Sequence, residues 1–200
     1  MEEKNLNEKE SLTLITQMIQ NSKKNLRVGS GNMLLLWGYL SAITAILVYV
    51  FILMTANPAW NWLWFLIPAI GYPVMYWWKK KEEKPVLTYT DKVLGSIWKV
   101  TGSFGICASF LAGIYFQNMG FMLPLVLIIC ALGVSISGSI INDKWMYNCG
   151  GFVMAIGVAM LYHTMNPLGL DIQYPAFALC FIIMMVIPGH RLNREAKRKA

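Results

Sequence analysis

The chain has 200 residues and a formal net charge of +7, and about 60% of it is apolar when glycine is counted and tyrosine left out, against about 45–50% in soluble domains. Charged residues make up only 14% and are bunched at the two ends and in one central run, which excludes an ordinary water-soluble core. The basic excess flanks apolar segments instead of lining one folded surface, which speaks against nucleic acid as a partner.

Residues 1–30 are polar and charged, so the first apolar run begins too late and runs too long for a secretory signal peptide. Asn7, with Glu10 three residues on, is a helix start, and Leu12, Ile15, Ile19 and Leu26 then recur at helical spacing, widened by Leu14 and Met18. With Lys23, Lys24 and Arg27 beside it, this stretch is expected to be an amphipathic helix, lying at the headgroup surface or packed on the inner loops.

Six spanning segments are expected to follow, at about 31–55, 59–78, 94–116, 121–141, 145–163 and 171–188, giving an all-α polytopic bundle. The first is free of charge, and Asn57-Pro58 then supplies an N-cap with proline at the first helical position. Pro68 and Pro73 are expected to kink the second, which stops at Lys79-Lys80-Lys81. Asp91 is a candidate cap for the third, whose one charge, Lys99, can reach headgroups along its aliphatic stem. The fourth ends at Asn142-Asp143-Lys144, and residues 191–200 form a basic tail.

All 17 Lys and Arg fall on one side of this arrangement, and the three turns on the other side contain none. The positive-inside rule then puts both termini in the cytoplasm. Tryptophan placement agrees, since Trp60, Trp62 and Trp64 fall at outer ends and Trp37, Trp77, Trp78, Trp98 and Trp145 near inner ones.

Helix association in lipid relies on close approach at small residues. Three fourfold-spaced sets are candidate packing faces: Gly105, Ser109 and Gly113; Ala131, Ser135 and Ser139; and Gly151, Ala155 and Ala159. Thr55-Ala56-Asn57-Pro58 and Thr164-Met165-Asn166-Pro167 mark the outer turns of the first and third hairpins, where local turn chemistry explains the likeness better than duplication of a hairpin does.

Cys107, Cys130, Cys149 and Cys180 fall in separate apolar stretches and read as packing residues, not as metal ligands or disulfides. His163 and His190 belong to opposite faces, no ionisable residue lies at mid-depth, and no nucleotide, zinc or serine-hydrolase motif occurs. These features imply neither an enzyme nor a cofactor. Ser103, Ser109, Ser135, Ser137 and Asn148 are the polar groups within the spans, available to a neutral-solute path or to packing.

The whole-chain pattern, with the ending Ile187-Pro188-Gly189-His190-Arg191-Leu192, resembles small six-span integral membrane proteins of bacteria that carry no assigned activity. That resemblance implies a bacterial cytoplasmic membrane and no site residues. The expected function is a membrane-embedded interaction or signalling partner working through its basic inner face and N-terminal helix. Its expected partners are the lipid bilayer and a cytoplasmic protein or a second copy. A permease for a neutral or apolar solute is the alternative.

Overall fold

The structure, a computed structural model, describes residues 31–81, 89–112, 119–166 and 172–199. The amphipathic stretch with Leu12, Ile15, Ile19 and Leu26 lies outside these residues, as does Gly113. The described chain is helical, and five helices are long and apolar enough to cross a membrane.

Helix α1 is Asn32–Thr55, closed by Ala56 in the left-handed region with its N–H on the Ile52 carbonyl. Asn57 then caps a 3-10 segment, Pro58–Phe65, by accepting from the Ala59 N–H. It passes into α2, Leu66–Lys81. Pro68 has no N–H to give to the carbonyl of Trp64, and its ring crowds that carbonyl, so the chain ahead of it closes i to i+3 bonds instead. The second apolar segment is therefore two helix types in series.

Helix α3, Tyr89–Phe110, starts five residues before the expected position, so Asp91 sits within its first turn. A 3-10 turn, Met119–Phe121, leads into α4, Met122–Ile141. Asn142, left-handed, closes α4, and Asp143 caps α5, Lys144–Met165, by accepting from the N–H groups of Trp145 and Met146.

The last helix runs on beyond the last expected span. α6, Gln173–Phe181, continues through a π turn, Ile182–Val186, into α7, Ile187–Lys199, without a break. The basic residues 191–199 thus continue the last helix. Pro188 explains the π turn: it cannot donate to Met184, and widening the preceding turn relieves the clash of its ring with that carbonyl.

The core lies between α1, α4, α5 and the α6–α7 rod. α1 contributes Leu34, Ala42, Ala45 and Val48, α4 contributes Leu127, Ala131 and Val134, and α5 contributes Met146, Val153 and Met160. Phe177, Phe181, Met184 and Met185 of the last rod fill the centre. Gly38 of α1 lets the chain approach Met185 and Val186, where a Cβ would stand 2.9 Å from either side chain. α2 and α3 are peripheral, and α3 has no buried residue.

Candidate functional site

The chain termini of the described helices gather at two ends of the bundle. One carries the start of α1, the α4–α5 junction and α7, with Lys144, Arg191, Arg194, Lys197 and Arg198; we call it the basic end. The other carries Asn57, the end of α5 and the start of α6.

At the basic end, Asn193 of α7 works as a clasp. Its Oδ1 accepts from the Gly31 N–H at 3.0 Å and its Nδ2 donates to Asn32 Oδ1 at 2.6 Å. Gly31 and Gly189 cross with no room for a Cβ on Gly31, so the two backbones lie against one another. On one flank of α7 the Tyr39 hydroxyl and His190 Nε2 are 2.8 Å apart. On another, the Arg191 guanidinium lies over the Trp145 ring at 5.6 Å and 3.8 Å from Glu195. Leu192 and Ala196 are buried, while Arg194, Lys197 and Arg198 point outward. α7 is therefore an amphipathic helix fixed to the bundle, with its cations presented on the free side.

The opposite end holds a hydrogen-bonded network without Lys, Arg, Asp or Glu. Gln173, 8% exposed, donates to the Thr164 hydroxyl at 2.7 Å and lies 3.4 Å from His163 Nδ1. Asn61 Oδ1 accepts from Tyr174 at 3.1 Å and from Trp64 Nε1 at 3.4 Å, and Trp64 packs edge-on against Phe177. The Thr164 hydroxyl also donates to the Met160 carbonyl, so Gln173 at the start of α6 is tied through Thr164 to the end of α5.

The fourfold small-residue sets fare differently from one another. Ala131 is fully buried and Ser135 donates to the Tyr147 carbonyl across the α4–α5 seam at 3.2 Å, but Ser139 is exposed. Ser109 bonds back to the Gly105 carbonyl, and a Cβ on Gly105 would meet nothing. Gly151, Ala155 and Ala159 are all exposed. The glycines that seat α5 on α4 are Gly150, against Ser135 and Ala131, and Gly157, against Ile128. A strict spacing of four drifts about 40° per step around an α-helix, whereas alternating steps of four and three hold one face. The buried positions Met146, Gly150, Val153, Gly157 and Met160 follow the second rule.

Of the other polar residues within the spans, Ser137 bonds to the Gly133 carbonyl at 2.7 Å, and Ser103 and Asn148 are exposed. A cleft of about 360 Å³ on the 3-10 segment is walled by Ala59, Trp60, Trp62, Leu63, Phe65, Leu66 and Ala69, with no ionisable group. The four cysteines are unpaired, and among the described residues no three His, Cys, Asp or Glu side chains converge as a metal site. Sequence reasoning missed the Asn193 clasp and the Gln173 network; the clasp joins residues more than 160 apart, and neither has a local signature. Comparison with protein-family models, with curated proteins and with solved structures finds no match.

Proposed function

We propose that the chain is a membrane-embedded interaction partner of a bacterial cytoplasmic membrane that presents a rigid basic surface, built on α7, to a cytoplasmic protein. Its bundle crosses the bilayer six times with both ends inside. The second expected span, which the 3-10 segment and α2 form, is long enough to bring the five crossings to six: eight residues of 3-10 helix and sixteen of α-helix reach about 40 Å, enough for a hydrocarbon core of about 30 Å. Orientation follows from the absence of Lys and Arg in the three turns opposite the basic end.

The observation that carries this reading is the Asn193 clasp. A loose basic tail would serve solubility or nonspecific attraction, but a helix pinned at Gly31 and Asn32 holds Arg194, Lys197 and Arg198 in one geometry. Preorganised cations bind an acidic surface at a smaller entropic cost than mobile ones.

Photo-crosslinking in intact cells tests it. A photoreactive residue at Arg194 or Arg198 should yield a discrete protein adduct, lost when Lys197 and the remaining arginine are changed to Gln, while one at the outward-facing Ile43 should yield lipid adducts. Absence of a protein adduct from α7, or flux of a neutral solute through purified chain in proteoliposomes, would replace this reading by the permease.

A further inference from the structure

Helix α3 differs from the other spanning helices. None of its residues is buried, whereas each of the other four buries a third or more of its most apolar stretch. It meets the bundle through α4, with Thr101 against Gly133. The half of its free side nearest the basic end is not a lipid-facing surface of the usual kind. α1 turns Ile43, Ile46, Leu47, Val50 and Leu53 outward, whereas α3 turns out Lys92, Gly95, Ser96, Lys99, Gly102 and Ser103 beside Val100, and only beyond them the apolar Phe104, Ile106 and Phe110.

These residues come from a repeat. Lys92-Val93-Leu94-Gly95-Ser96-Ile97 recurs seven positions later as Lys99-Val100-Thr101-Gly102-Ser103-Phe104. A period of seven returns equivalent side chains to one face with a drift of about 20°, which is the geometry of left-handed helix pairing. A Cβ at Gly95 or Gly102 would meet nothing, so another backbone could approach closely there. Reaching toward the headgroups accounts for Lys99 alone; it does not account for a face of glycine, serine and lysine repeated over two heptads.

We propose that this face of α3 docks a membrane-spanning helix of another protein that carries a carboxylate near its cytoplasmic end. The proposal rests on the reading of the chain as a membrane-embedded interaction partner and names the chemistry of what it holds within the bilayer. Charge selects this occupant over a second copy. Two α3 faces related by a twofold axis would bring Lys99 against Lys99, and among the described residues Lys99 has no ion pair of its own. Depth is set by the neighbouring helix: Thr101 packs on Gly133, eight residues before Ile141, so Lys99 lies roughly 9 Å inside the basic end of α4. A Glu or Asp at that level on the partner would pair with the ammonium, while Gly and Ser admit its backbone.

The native Cys107, exposed four residues beyond Ser103, reports occupancy, since Cys149 and Cys180 are buried and Cys130 is half-buried. Full-length protein in phospholipid vesicles is mixed with synthetic spanning peptides that share a Gly/Ser heptad and one cysteine at the depth of Cys107, and differ only at the level of Lys99: Glu, Gln or Lys. Disulfide capture of the Glu peptide should exceed that of the Gln peptide by about threefold to tenfold. Lys99→Glu should invert the preference toward the Lys peptide, and Gly102→Leu, which fills open space and leaves the fold intact, should abolish capture of all three. Equal capture of Glu and Gln peptides overturns the proposal, as does a dominant Cys107–Cys107 dimer of the protein with no peptide adduct. Either failure beside intact protein adducts from α7 removes this surface and leaves the basic-face reading standing. Loss of the α7 adducts with peptide capture intact does the reverse.

Discussion

Gly150 of α5 lies directly against Ser135 of α4, with no space between them for a Cβ. Its neighbour Gly151 faces open space. The two adjacent glycines therefore separate a packing role from a compositional one. Gly150→Leu should lower the stability of the detergent-solubilised bundle by about 3 kcal/mol or more through overpacking, while Gly151→Leu should stay within about 0.5 kcal/mol. Thermal unfolding followed by fluorescence-detected size exclusion measures both, and equal losses would contradict the seam.

The Asn193 amide bonds Gly31 and Asn32 at once. Asn193→Ala should cost about 1–3 kcal/mol, because it leaves the Gly31 N–H and the Asn32 side chain without this partner. Asn193→Asp keeps the acceptor for Gly31 and loses the donor to Asn32, so an intermediate loss is expected. Denaturation midpoints of the three proteins in one detergent rank them.

Ala56 holds φ 51° at the end of α1 and donates to the Ile52 carbonyl. A left-handed residue with a Cβ carries about 1 kcal/mol of strain that glycine does not. Ala56→Gly should accordingly raise stability by about 0.5–1 kcal/mol, seen as an upward shift of the melting temperature. A fall would mean that another interaction holds the turn.

Topology reporters fused after Ala56 and Gln117 should report the outer side, and fusions after Lys81, Lys144 and Ala200 the cytoplasm. In the proposed six-span topology the three turns opposite the basic end lack Lys and Arg, so no retained charge would oppose their translocation. A cytoplasmic signal at Ala56 would reverse the orientation, and an outer signal at Ala200 would remove the last crossing.

Composition and charge distribution determined that the described chain is helical with several apolar helices, because uncharged stretches of this length have one economical way to satisfy their backbone away from water. Local chemistry was equally legible: Asn57-Pro58 caps its segment and Asp143 caps α5, since both interactions run over two or three residues. Seams between helices were not. Which of Gly150 and Gly151 faces α4, and whether Ala159 packs, depends on rotation about the helix axis, and in segments apolar on every side the sequence carries little rotational signal. The continuation of the last helix through Pro188 to Lys199 was hidden because proline usually marks an end, and only a π turn packed among Met184, Met185 and Val186 lets the rod pass it. The meeting of Asn193 with Gly31 and Asn32 belongs wholly to the tertiary structure, since it joins the first described helix to the last and no local rule links residues that far apart.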